Sequence, residues 1–200
     1  MPMNLMVDIE TFGNRMDSAI LTIGAVFFDP DTGEIGGEFY TAIDPDSACR
    51  YGRVTGSTVA WWLEQSEAAR RAVVAGKTQL PEALAKLADF YAKHPKAPIW
   101  GNGPTFDISI LEHAYWRVHD KPAPWAFWNV RDCRTIKDLG DAIGYRIPKL
   151  EGTAHNALDD ARHQAMWVIE IRRLLLKKPA SSMATVAHKA VAQSSDFDDI

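Results

Sequence analysis

The chain has 200 residues, 46% of them hydrophobic and 24% charged, with a formal net charge of −4. This length suits one domain with a sizeable buried core, and the acidic balance excludes attachment to nucleic acid through a large basic surface. It does not exclude a nucleic-acid substrate, because carboxylates occupied by metal drop out of that sum.

Cys49 and Cys133 offer neither a disulfide framework nor a metal-type spacing and read as small buried or half-buried thiols. Asp8 and Glu10 interrupt the first apolar run, so no signal-peptide pattern opens the sequence, and no apolar stretch is long enough to cross a bilayer. A cytoplasmic setting is the expectation. Leu5–Thr11 (LMVDIET) reads as an apolar strand with two carboxylates two residues apart, which places Asp8 and Glu10 on one face. Buried carboxylates are costly and neighbouring ones repel, so this pair calls for a cation. Residues 19–28 (AILTIGAVFF) predict a central strand, DPDTG a turn, and residues 38–43 (EFYTAI) a third strand, together an antiparallel meander.

Residues 44–56 read as irregular, with Ser57 as N-cap of a helix through Gln65. Residues 80–93 are amphipathic, with Pro81 early in the helix and leucines at 80, 84 and 87. A short strand at 97–101 leads into a helix over 106–119. A strand at 127–133 leads into a helix over 134–143, and a long helix covers 157–177. From 179 the composition shifts to Ala, Ser and Asp, so the expectation is a domain over 1–178 followed by a flexible C-terminal tail over 179–200. Three strands and then alternating strands and helices predict a mixed α/β layer architecture.

Asp107 opens the inward stripe of its helix, in line with Ile110, Leu111, Ala114 and Val118, just after a strand's carboxyl end, where α/β sheets bind ligands. The helix pattern separates the two adjacent acids of the last cluster. Asp159 lines up with His163, Glu170, Arg173 and Lys177 on a solvated face, whereas Asp160 lines up with Gln164, Trp167, Ile171 and Leu175 on the face predicted to be buried. His155 lies five residues before Asp160. Four inward carboxylates and a histidine suit two-metal phosphoryl chemistry, in which two divalent ions about 3.5–4 Å apart activate water and stabilise the leaving oxygen. Oxygen ligands favour Mg²⁺ or Mn²⁺, and an imidazole titrates close enough to neutrality to take the proton of the attacking water.

Asp8-Ile9-Glu10-Thr11, Asn102-Gly103-Pro104-Thr105-Phe106-Asp107 and the His155/Asp160 pair resemble the three motifs of the DEDDh exonucleases. That family includes proofreading exonucleases, oligoribonuclease and ribonuclease T, and the resemblance spans roughly residues 3–175. The related DEDDy class places tyrosine where Asn156 stands. The compact chain, the Trp61-Trp62 pair and the FWNVRD segment look most like the small phage and bacterial 3′–5′ exoribonuclease group, some of whose phage members are labelled exodeoxyribonuclease VIII. The resemblance implies a ribonuclease H-like fold with a mixed five-stranded sheet flanked by helices. It implies two Mg²⁺ or Mn²⁺ ions on Asp8, Glu10, Asp107 and Asp160, His155 as general base, and release of nucleoside 5′-monophosphates from single-stranded RNA or DNA 3′ ends. Thr11 matches the residue that usually meets the terminal nucleotide. Dimers are common among relatives, so a homodimer is expected. One departure is that Gly101 and Gly103-Pro104 stand where the second motif usually reads closer to His-Asn-Ala, which bears on substrate contacts near Asn102.

Trp61 and Trp62 diverge by about 100° on a helix, so at most one faces a groove, and Trp62 is assigned to base stacking. Trp100 and Trp167 read as core. Arg131, Arg134, Lys137, Arg146 and Lys149 share their interval with Asp132, Asp138 and Asp141, so a phosphate track and a solvated surface weigh equally. The alternatives to a strand-shortening exonuclease are a short-oligonucleotide phosphodiesterase and a non-catalytic nucleic-acid-binding or protein-interaction module on the same fold.

Overall fold

The computed structural model describes residues 3–177 and is organised around β1 (Asn4–Thr11) at the centre of a five-stranded sheet. β1 pairs antiparallel with β2 (Ile20–Phe28), and β2 with β3 (Ile35–Ala42), which confirms the meander. On its other side β1 pairs in parallel with β4 (Ile99–Gly101), and β4 with β5 (Val130–Asp132), giving the order β3-β2-β1-β4-β5. The sheet is mixed, as expected of a ribonuclease H-like architecture.

Period-two alternation along β1 divides the two layers that cover the sheet. Leu5, Val7 and Ile9 face a core shared with α1 (Pro45–Tyr51), α2 (Gly56–Glu64), α3 (Glu67–Val74), α4 (Leu80–Tyr91) and α5 (Asp107–His119). Met6 faces the opposite core, built with Trp100, Cys133 at the start of α6 (Cys133–Ala142), and the inner stripe of α7 (Ala157–Lys177). Asp8 and Glu10 continue the Met6 side, towards α7. Trp100 and Trp167 are buried, as the sequence predicts.

Two local features place the site. Gly24 stands opposite Asp8 in the β1–β2 ladder, and a Cβ there would lie 2.2 Å from the Ala157 carbonyl carbon. Only a glycine lets the first turn of α7 settle directly on the sheet beside Asp8. On the other flank, β4 is matched to β1 only at Leu5 and Met6, so the two strands part beneath the C-terminal half of β1. There Asp107 Oδ1, and not a strand carbonyl, accepts the Ile9 N–H at 3.3 Å.

Several boundaries differ from the sequence reading. Residues 45–51, expected to be irregular, form α1, whose N-cap Asp44 accepts the Ser47 N–H at 2.9 Å and which has proline in its first turn. α2 is preceded by Thr55 and not by Ser57, and α3 adds a helix absent from the sequence reading, capped by Ser66 through the Ala69 N–H. β3 starts three residues before the expected Glu38. Phe127–Asn129 form a 3₁₀ turn, so the strand expected there shortens to Val130–Asp132. Cys133 is buried but Cys49 is exposed, against the expectation for that thiol. The tail expected from 179 lies outside the described residues. No helix among the described residues is long and apolar enough to cross a membrane.

Candidate active site

Asp8, Glu10, Asp107, His155 and Asp160, drawn from β1, the start of α5 and the start of α7, line one cleft of about 270 Å³ together with Asn102, Phe106 and Gln164. Glu10 and Asp107 are buried, whereas Asp8 and Asp160 are half-buried. One ligand atom each from Glu10, His155 and Asp160 lies within 4.8 Å of the other two.

Asp8, Asp107 and Asp160 are each fixed by a different device. Gln164, one turn beyond Asp160, donates Nε2–H to Asp8 Oδ1 at 2.8 Å. Asp107 receives the backbone N–H of Ile9, and the amides of Asn102 and Asp107 itself also favour its charged form. Asp160 Oδ2 accepts the His155 N–H at 2.9 Å, which holds His155 at φ 64° in the left-handed region that most side chains avoid. Asn156 caps α7 by accepting the N–H groups of Leu158 and Asp159. Asp159 points away from the cleft. It accepts the Thr153 N–H and pairs with Arg162, so Asp160 and not Asp159 lines the cleft.

The crowded acids are held away from their ordinary proton affinity. Burial, reinforced by Asp160 and Asp107, raises the Glu10 pKa from 4.5 to about 8. Burial raises that of Asp107 to about 7 against the opposing backbone hydrogen bonds and Arg134. Asp8 is raised well above the usual range, by burial first and then by Asp107 and Glu10. Asp160 is raised by burial, partly offset by the His155 N–H. Four oxygen-donor acids that penalise one another's ionisation form a cradle a divalent cation would relieve. Gln164 Oε1, buried and without a hydrogen-bond partner among the described residues, adds a further oxygen to the cleft wall. This donor set fits a hard divalent cation.

The sequence-assigned substrate contacts fare unequally. Asn102 lines the cleft, and its carbonyl accepts Arg134 Nη2–H at 2.8 Å. The Thr11 side chain is buried, and its hydroxyl donates to the Gly13 carbonyl. Trp62 is only 3% exposed and donates Nε1–H to the Thr11 carbonyl at 2.8 Å, which leaves no ring face for a base. The stacking role expected of Trp62 does not match this placement. Its neighbour Trp61 is 40% exposed and meets the His155 ring edge to face at 4.8 Å. Gln164, Trp61 and Arg134 were not assigned to the site from sequence. Gln164 carried a signal in its place four residues after Asp160 on the same helix face, Trp61 as the alternative to Trp62, and Arg134 as one of five basic residues weighed as a phosphate track.

A ribonuclease H-like sheet carrying a strand acid pair, a helix-start acid and a His/Asp helix start defines a 3′–5′ exonuclease hydrolase. Residues 3–172 match the 3′–5′ exoribonuclease Rv2179c-like domain, and the chain belongs to that family. An exodeoxyribonuclease of Enterobacteria phage T4 is 26% identical over 190 residues, covering 78% of this chain and 83% of the phage protein. The nuclease domain of 3′hExo, a DEDDh family member bound to rAMP, superposes with a TM-score of 0.57 at 18% identity, over 88% of this chain and 93% of that one. The zinc-bound Escherichia coli exonuclease I complex with single-stranded DNA gives 0.67 at 16% identity, over 88% of this chain and 42% of that one. At these identities the structural neighbours speak for the fold.

Proposed function

We propose that this exonuclease shortens single-stranded RNA or DNA from the 3′ end, releasing nucleoside 5′-monophosphates in a reaction that depends on two Mg²⁺ or Mn²⁺ ions. The observation that carries the reading is the convergence of Asp8, Glu10, Asp107 and Asp160 with His155 in one cleft. The names of the relatives support it, since the family is described by exoribonuclease activity and the phage T4 relative by exodeoxyribonuclease activity. Solved neighbours hold rAMP or single-stranded oligonucleotides.

Asp8, Glu10, Asp107 and Asp160 would hold the ions, which when bound polarise the scissile phosphate and lower the pKa of water. An imidazole nitrogen of His155 accepts the proton of water as its oxygen attacks phosphorus, and the P–O3′ bond to the penultimate sugar opens. Trp61, set edge-on to that ring, restricts its rotation and takes over from Trp62 as the stacking surface for a base. Asn102 remains a substrate contact, oriented by Arg134. Thr11 contributes through its place at the end of β1, since its hydroxyl is engaged by Gly13.

The test uses 5′-labelled RNA and DNA oligonucleotides with Mg²⁺ or Mn²⁺, comparing wild type with Asp8→Ala. Shortening from the 3′ end that disappears in the variant and in chelator is expected. Robust digestion in excess chelator would overturn the mechanism. For the expected homodimer, the exposed Trp116, Phe127 and Trp128 form the surface of suitable chemistry. Phe127→Ser/Trp128→Ser should shift sedimentation from dimer to monomer, and an unchanged dimer would place the interface elsewhere.

A further inference from the structure

We propose that a second, basic groove binds the phosphodiester backbone of the same strand about three to four nucleotides upstream of its 3′ end, an inference that rests on the exonuclease reading above. The groove has a volume of about 420 Å³ and is lined by Asp17, Arg50, Tyr51, Arg53, His113 and Arg117. Three arginines and a histidine stand against one carboxylate, in a chain whose overall charge is −4. The cluster is therefore a local arrangement and not a sample of a basic surface.

Arg50 and Arg117 are exposed and form no ion pair with any described residue. Asp17 holds the Arg53 guanidinium by its Nε at 3.0 Å, while 80% of that side chain stays open to solvent. The pair orients the arginine without covering it. Guanidinium groups suit phosphate oxygens because their planar donors bind in a two-point fashion. Half-buried Tyr51, packed against the core, adds an aromatic edge, and basic groups beside aromatics are how single strands are held without sequence preference.

Helix α5 connects the groove to the cleft. Phe106, which lines the cleft, precedes His113 and Arg117 by seven and eleven residues, so the three share one face of the helix. At 1.5 Å per residue, His113 and Arg117 lie about 9 and 15 Å along the axis from Asp107. A stacked strand advances about 3.4 Å per nucleotide, which sets the register at about three to four nucleotides. The opposite wall runs back to the cleft as well, because the Thr55 N–H, just after Arg53, bonds to the Phe12 carbonyl beside Thr11.

The experiment compares wild type with Arg50→Ala/Arg117→Ala and Arg50→Lys/Arg117→Lys, using 5′-fluorescein single-stranded RNA and DNA of two to ten nucleotides. Affinity is read by anisotropy in chelator, and kcat/KM with Mg²⁺ or Mn²⁺. In wild type, affinity should rise about tenfold between two and six nucleotides. The alanine variant should lose that rise and about tenfold in kcat/KM on eight-mers, yet stay within about twofold on dinucleotides. Its salt dependence should shallow by about 1.4 in log–log slope, since each single-strand phosphate contact contributes about 0.7, while the lysine variant keeps most of the slope. Equal loss on dinucleotides and eight-mers, or no loss on either, would overturn the groove. A wild type that cuts nothing but shows the length-dependent affinity, lost in the alanine variant, would overturn the exonuclease reading and leave the groove supported.

Discussion

Replacing Glu10 with Gln should stabilise the metal-free protein even as it abolishes activity. Glu10 has its pKa raised from 4.5 to about 8, chiefly by burial and then by Asp160 and Asp107. A carboxyl with a higher pKa in the folded chain binds more protons when folded, so stability falls as pH rises from the unfolded pKa to the folded one. Each tenfold change in proton affinity corresponds to about 1.4 kcal/mol, so the full displacement is on the order of 5 kcal/mol, present below about pH 4.5 and lost by about pH 8. Relaxation of the cleft and entry of water reduce what one substitution recovers to about 2–4 kcal/mol at pH 8. For a domain of this size that is roughly 5–15 °C in Tm. The assay is thermal unfolding of wild type and Glu10→Gln in chelator from pH 4 to 9. The melting curves should converge near pH 4 and separate progressively towards pH 8, with the variant higher. Saturating Mn²⁺ should reverse the order, because only the wild type keeps the full ligand set and ligand binding stabilises the folded state. A variant no more stable than wild type at pH 8 in chelator would refute the reasoning.

Five further substitutions probe the frame around these acids. Asp160→Ala should lower kcat by at least about 100-fold, and Asp159→Ala by less than about threefold, because only Asp160 faces the cleft and holds the His155 amide; equal losses in a steady-state assay would refute the helix-face assignment. Trp61→Ala should raise KM for oligonucleotides several-fold with little change in Tm, whereas Trp62→Ala should cost about 3–5 kcal/mol in stability as a buried aromatic; matched kinetics and melting curves separate the two. Gly24→Ala puts a methyl group against the α7 backbone, which no side-chain rotation can relieve. It should destabilise by about 1–3 kcal/mol and reduce activity about 100-fold by shifting Asp160 and Gln164 on the order of 1 Å; wild-type turnover in the folded variant would show that α7 needs no such close seating.

The parts legible in the sequence are those whose signal is periodic and local. Alternation along β1 puts Asp8 and Glu10 on one face, and helical spacing alone separates Asp160 from Asp159. The predicted range of α7 matches the observed Ala157–Lys177. α1 was missed because it has only seven residues and its signal is a single Asp44 cap followed by Pro45. The tryptophan pair failed for a different reason. Trp61 and Trp62 are equivalent as letters, and what separates them is the Thr11 carbonyl, 51 residues away, which accepts one indole N–H. Arg134 reaches Asn102 across 32 residues, a pairing that β4–β5 alignment creates and no local pattern records.

The parting of β1 from β4 has a consequence for how the cleft responds to change. Where the shorter strand stops, Asp107 takes over one rung of the ladder, so the same carboxyl group belongs to the backbone scaffold and to the acid cluster. Charge at this position is thus coupled to the mechanical closure of the central strand. The amide of Ile9 becomes a built-in gauge: its hydrogen exchange should slow when a cation fixes the Asp107 carboxylate and quicken in Asp107→Ala, before any global unfolding is detected. A seam left open in the sheet and closed by a side chain is what joins the stiffness of the scaffold to the ionic state of the cleft.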